Sequence, residues 1–294
     1  MQKCKLIKKS LMWMLSFTMA LSMCFSIVKK VEANDGQADN AVVVTNSKDE
    51  EIHDEYLSIQ EAIANIGDYN YDNNRGTYTI TLLKDVQEDV VIPVNKNITI
   101  DLAGHTLTNV SSHTILNQSI RTFIIDTSEY KTGVVDNITN GKGALYNDIN
   151  ASIVLRGGTF TRSMEQSVSS SDGGNNSWYV IKNFGTMTIE DDVNVKFSAS
   201  NTGLYSSLIG NGWFDKSAAE AGTNGEPKPS EGGNSAKLTI NGGTFTGGTI
   251  TIKNDDFGVL TIKDGTINQP NNDRYAVLNN NTATISGGTI NATG

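Results

Sequence analysis

The sequence predicts an all-β fold, a single-stranded parallel β-helix with coils of about 22–23 residues and a short N-terminal capping helix. The first observation is a repeat: "IVLRGGTFTR" from Ile153, "LTINGGTFTG" from Leu238, "LTIKDGTINQ" from Leu260 and "ATISGGTINA" from Ala283 share one pattern. Ile240, Ile262 and Ile285 hold the same place in it, 22 and 23 residues apart. The second is period-two alternation, which buries Leu238, Ile240 and Phe245, or Leu260, Ile262 and Ile267, and leaves Thr, Lys and Asn to water. The third is composition: Asn, Thr, Gly and Ile dominate, and long helical patterns are missing, as in chains of short strands joined by tight turns. A 22-residue unit cannot enclose a core alone, but stacked units place each apolar side chain on its equivalent above and below.

In chain order, residues 1–33 read as a secretory signal peptide. Lys3, Lys5, Lys8 and Lys9 precede the apolar run Leu11 to Val28, and Val31 and Ala33 supply the small-residue cleavage site. The run also approaches the length that spans a bilayer, so an uncleaved anchor is the alternative. Cys4 and Cys24 both lie in this leader, which leaves no disulfide and no thiolate chemistry after it. Setting aside the leader's six lysines and Glu32, the remainder carries 17 basic and 31 acidic residues, a net charge near −14. Such a surface repels nucleic acid and anionic lipid, so neither nucleic-acid binding nor membrane insertion after cleavage is expected.

Residues 34–55 are expected to be an acidic, disordered linker with one candidate strand at Ala41 to Thr45. The β-helix domain is assigned to residues 56–294. It opens with "YLSIQEAIANIG", in which Ser58 and Glu61 form a capping box and Ile59, Ala62, Ile63 and Ile66 share one face, predicting a helix over 58–66. That face would cover the open edge of the first coil. Residues 162–177 and 205–236 break the strand period and read as loop insertions. Trp213 and Phe214, with Trp178, are the candidate glycan-binding aromatics, and the competing reading folds Trp213 and Phe214 back as a satellite core. The chain stops in mid-repeat at "GGTINATG", which points to truncation or a fragment.

Two corner motifs are expected to stack. The turn pairs are Gly157 and Gly158, Gly242 and Gly243, Asp264 and Gly265, and Gly287 and Gly288. Asn147, Asn183, Asn254 and Asn279 each follow an apolar strand and are expected to bond from coil to coil. "NITIDLAGHTLTN" aligns with the same turn: Gly104 falls on the first glycine of the pair, and His105 on the second, a place that favours positive φ. Asp101 then points outward, and the apparent Asp–His pair is a bend rather than a catalytic site. Asp191 with Asp192, and Asp255 with Asp256, sit beside turns, where neighbouring carboxylates diverge. His53, His105 and His113 are the only histidines and give no zinc-ligand spacing, so no catalytic or metal residue is assigned; calcium stays open, since turns on different coils can share oxygen ligands.

From about Tyr56 onward, "LSIQEAI", "YTITLLKDVQEDVVIPVNKNITIDLAGHTLTN" and the "GGTFTG" units resemble the pectate-lyase-like right-handed β-helix domains of secreted and surface proteins of Gram-positive bacteria. The resemblance implies an extracellular repeat domain of adhesin-like or wall-attached proteins, with a host or environmental glycan or the cell wall as partner. The same fold hosts lyases and hydrolases of uronic-acid glycans, so fold alone does not choose. This sequence departs from the polygalacturonase set: its Gly104–His105 is followed by Thr106 and precedes both double aspartates, and no Arg-Ile-Lys occurs. Arg121, Arg156, Arg162 and Arg274 stand in no lyase motif. The expected function is therefore a structural or adhesive module without catalysis, against a lyase or hydrolase, or a non-catalytic glycan-binding module.

Overall fold

The computed structural model describes residues 39–69, 76–163, 178–198, 206–223, 225–229 and 236–293. The expected leader and most of the loop at 162–177 lie outside the described residues. The described chain is all-β, dominated by long parallel sheets and compatible with a β-helix.

The strands recur along the chain in successive sets, called circuits below, that feed three parallel rows. The first row runs through Tyr78–Leu82, Asn97–Asp101, Arg121–Ile125, the leading half of Ser152–Arg162, the leading half of Thr186–Lys196, Ala236–Ile240, Gly258–Ile262 and Thr282–Ile285, all parallel. The second runs from Val86–Gln87 through Thr106–Thr108, Val134–Asn137 and the trailing halves of the two long strands to Thr289–Ala292. These two rows form one sheet because the long strands carry both. The third is a separate seven-stranded sheet, Val90–Ile92, Ile115–Asn117, Leu145–Asn147, Ile181–Asn183, Ile209–Asn211, Ile250–Asn254 and Tyr275–Asn279.

Alternation along each strand turns one apolar residue inward, and the register stacks these residues into columns. Ile80, Ile100, Ile124, Leu155, Ile189, Ile240, Ile262 and Ile285 are successive partners in the first row. Val86, Leu107, Val135, Phe160, Val195, Phe245, Ile267 and Ile290 form the second column. These belong to one continuous core, from which the last members emerge: Ile285 is 50% exposed.

The expected linker is structured over 41–56. Val42–Asn46 and Asp49–Tyr56 form an antiparallel hairpin, and Val42–Asn46 also pairs antiparallel with Tyr78–Leu82. Val42 and Val44 enter the core, which offsets the ordering cost, while the acids that suggested disorder lie on the outer strand Asp49–Tyr56 and face water. Charge on an edge strand discourages further pairing. The helix spans Ile59–Asn65, with Ser58 accepting from the Glu61 N–H and the Glu61 side chain reaching back to the Leu57 N–H at 3.1 Å. It ends at Ile66, before Gly67, and Ile59, Ala62, Ile63 and Ile66 all enter the core.

The expected loop at 205–236 also contains regular structure. Ile209–Asn211 is a strand of the seven-stranded sheet, and Lys216–Ala221 is a helix N-capped by Asp215. Glycines on both sides of Asn211 hide a three-residue strand from any alternation test.

The asparagine corner is longer than the sequence suggested. Asn117, Asn147, Asn183, Asn211, Asn254 and Asn279 are in register, and each Nδ2 donates to the next Oδ1 at 2.7–2.8 Å. A second bond ties the amide to a backbone carbonyl, as Asn183 to Gly185 and Lys237. Burial makes these bonds matter, because a lost partner leaves a desolvated amide.

The opposite corner rests on backbone shape. Thr106, Val134, Thr159, Asn194, Thr244, Thr266 and Thr289 are in register, so His105 is level with Gly158, Gly243, Gly265 and Gly288. Those glycines have φ of 96°, 92°, 107° and 87°. The second circuit differs from expectation: Ala103 (47°) and Gly104 (86°) take positive φ, and His105 does not. The His105 N–H closes a tight turn onto the Leu102 carbonyl at 2.8 Å, which moves the left-handed residues one place earlier. Asp101 does avoid the apolar core but is not exposed. It accepts the Ala103 N–H and the Thr127 N–H, each at 3.0 Å, and the Thr127 hydroxyl at 2.7 Å, clasping one turn to the next.

Candidate functional site

In the three-residue strands of the seven-stranded sheet the flanking residues face the core, so the central residue faces out. Leu116, Tyr146, Lys182, Gly210 and Lys253 therefore form one outer row. Turns preceding the strands and the segment after Asn211 pack over this row. Gly210 is required there, because a Cβ would stand 2.5 Å from the Tyr179 ring.

Beneath the cover lies a buried network of charge. Lys182 is 0% exposed, its Nζ 3.2 Å from Glu226 Oε1 and held between the rings of Tyr179 (4.4 Å) and Phe184 (4.7 Å). Lys253 Nζ lies 3.1 Å from Asp255 Oδ2, and the Tyr179 hydroxyl is 3.5 Å from both. Burial pulls the Lys182 amine below its ordinary value while Glu226 and Asp255 oppose it. Burial and then Asp255 push the Tyr179 hydroxyl up. Removing either member of such a pair would strand a buried charge, so the network fastens the cover.

A row of rings crosses the same face. Successive centroids are 6.0 Å (Trp178–His113), 4.8 Å (His113–Tyr146), 5.4 Å (Tyr146–Phe184) and 4.8 Å (Phe184–Trp213). The inner end is a satellite core. Trp213 is 0% exposed, packs with Phe184, Ala219 and Ala236, and donates Nε1 to the Pro227 carbonyl at 2.6 Å. The outer end borders an open cavity of about 520 Å³ lined by His113, Leu116, Tyr146, Asp148, Trp178 and Glu226 among others. His113 accepts the Gly143 N–H on Nδ1 at 3.0 Å, and burial, then the Lys142 charge, lower its imidazole to about 4. It is thus neutral at physiological pH.

The three expected binding aromatics do not share a surface. Trp178 lines the cavity, Trp213 is core, and Phe214 is 71% exposed with Lys253 Nζ 4.3 Å from its ring centre. Trp213 is interior rather than a surface aromatic, as the satellite-core reading has it: Gly212 before it takes φ of 93°, and the indole packs on Ala219 of the helix Lys216–Ala221. His113 and Tyr146 were missed, although Tyr146 directly precedes a ladder asparagine and that position alternates outward.

The two double aspartates do not converge on one site. Asp191 belongs to a strand of the large sheet, whereas Asp255 follows a strand of the seven-stranded one. Arg156 pairs with Glu190 at 3.3 Å, Lys131 with Asp192 at 3.6 Å, and Arg274 Nη1 donates to the Asp273 carbonyl at 3.5 Å. Among the described residues, no group of three or more His, Cys, Asp or Glu is placed to hold a metal ion. Among the same residues, no helix is long and apolar enough to cross a membrane. No family profile, curated protein or solved structure matches the chain.

Proposed function

We propose that this chain is a secreted or cell-surface repeat domain, a right-handed parallel β-helix of the pectate-lyase-like kind, that acts as a structural or adhesive module without catalysis of its own. The observation that carries the reading is the asparagine ladder together with the apolar columns, which run through successive circuits and suit a stiff rod. The leader-like residues 1–33 and the acidic composition suit an extracellular position. The helix Ile59–Asn65 serves as the cap of the first circuit in this reading. Asp101, Glu190 and Asp255, which a lyase or hydrolase could recruit, are committed to a turn or to ion pairs.

The test incubates the purified chain with polygalacturonate and other uronic-acid polymers, with and without calcium. No unsaturated product and no new reducing ends are expected, and retention on bacterial cell-wall material or immobilised glycans is. Product release would replace the module reading with the lyase or hydrolase reading. A second reading, non-catalytic glycan recognition, is favoured by the aromatic-lined cavity at Tyr146 and Trp178.

A further inference from the structure

We propose that the cavity bounded by His113, Tyr146 and Trp178 is a binding site for a neutral pyranose unit of a glycan. The inference deepens the adhesive reading and rests on it. The cavity volume, about 520 Å³, falls within the range of small-ligand sites, and its walls combine aromatic rings with a few charged groups. A pyranose has an apolar face of C–H groups and a rim of hydroxyls. Tyr146 and Trp178 offer rings to the face, while carboxylates accept from the rim.

The placement of these groups is built in rather than incidental. Tyr146 is held outward by the alternation of Leu145–Asn147, whose neighbours Leu145 and Asn147 are fixed in the core and the ladder. His113 is wedged against Tyr146 at 4.8 Å and tied to Gly143 at 3.0 Å, so the ring pair is preorganised before any ligand arrives. Asp148 is oriented by the Gln118 amide (3.1 Å) and the Ile149 N–H (2.8 Å), and each of its oxygens keeps a further lone pair for a hydroxyl donor.

Charge selects within the glycans. Glu226 is paired with Lys182, whereas Asp148 is held by the neutral donors Gln118 and Ile149 and is the carboxylate that meets a ligand; His113 is neutral near pH 7. A uronate carboxylate would meet like charge there, whereas a hexose or N-acetylhexosamine would not. Asp148 thereby disfavours the acidic polymers that a lyase of this general architecture would take. It also lies on the seven-stranded sheet, away from Asp191 and Arg156.

Isothermal titration calorimetry on the full chain tests the site, with N-acetylchitotriose and cellotriose as neutral probes and trigalacturonate as the anionic one. At least one neutral probe should bind, about tenfold or more tighter than trigalacturonate. Trp178→Ala, and Leu116→Phe, which fills the cavity from an outward position, should each weaken that binding by about tenfold or more. Unchanged melting temperatures and circular dichroism would show that both variants fold. The site is overturned if trigalacturonate binds as well as the neutral probes, if neither neutral probe binds, or if both folded variants bind like the parent. Retention of the same proteins on cell-wall material separates the two readings. Parent and Trp178→Ala retained equally sinks the site alone, and Trp178-dependent sugar binding without retention sinks the adhesive reading alone.

Discussion

At the asparagine corner one side chain recurs in six successive circuits and each copy is bonded to its neighbours, whereas at the glycine corner no one side-chain type recurs, links such as Asp101 to Thr127 are individual, and the bend is made by backbone angle. The first corner is cooperative: a change in one circuit alters the partners of the two beside it. The second is local, and it tolerates substitution by different means. The second circuit moves its positive φ to Ala103 and Gly104, and the long strand Thr186–Lys196 passes the corner with Asp192 and Val193 in place of two glycines. Identity is demanded where side chains pair, and only shape where they do not.

The largest effect is expected inside the ladder. Asn183→Leu removes bonds to both Asn147 and Asn211 and leaves buried carbonyls and an amide unmatched, a loss of about 3–5 kcal/mol that a urea-denaturation midpoint reads directly. Next comes the bond from the Gly143 N–H to His113, which joins two circuits through a group that titrates. Its folded-state value of about 4 lies below the ordinary 6.5, so the unfolded chain takes up the proton first as pH falls. The stability it contributes is complete above about pH 6.5 and is lost progressively down to about pH 4, by up to about 3 kcal/mol. Melting curves of the parent should therefore drop more steeply across that window than those of His113→Gln.

Gly243→Ala tests the other corner. Its φ of 92° and a Cβ position 2.9 Å from the Val193 carbonyl predict a cost of about 2 kcal/mol, smaller than that of Asn183→Leu and without spread to neighbouring circuits by hydrogen exchange. Asn279→Leu should cost only about 1 kcal/mol or less, since this last ladder member is exposed and its own amide donates to Asn281 rather than to another asparagine. His105→Gly should change stability by roughly 0.5 kcal/mol, because its φ is already ordinary and its 3.6 Å approach to Asp85 lies at the surface. If Gly243→Ala proves as costly as Asn183→Leu, the contrast between the corners fails.

Much of the architecture was legible because it is periodic. Ile240, Ile262 and Ile285 reveal the stack, and "GGTF" and "GGTI" mark the glycine corner. Where the period lengthens, the signal fades: Asn117 and Asn211 lie outside the clearest repeats, and Asn211 sits between glycines inside an apparent loop. The hairpin Val42–Tyr56 was obscured by acids on its outer strand, since composition does not distinguish a solvated edge from a disordered segment. The cavity was not legible. His113, Tyr146, Trp178 and Glu226 are brought together by circuits and by a folded cover whose path no spacing rule gives.

The asparagine ladder also has a polarity. Every Nδ2 points toward the next circuit, so the side-chain dipoles add head to tail, with their negative end at Asn117 and their positive end at Asn279. Both ends are terminated by complementary groups: Asn117 Oδ1 receives the Thr122 hydroxyl at 2.7 Å and the Ser119 N–H at 3.2 Å, and Asn279 Nδ2 meets the Asn281 carbonyl at 3.1 Å. Reversing one amide would set donor against donor on one side and acceptor against acceptor on the other. The orientation chosen at Ser119 and Thr122 is thus inherited by five further side chains, as a one-way wire is fixed by its first connection.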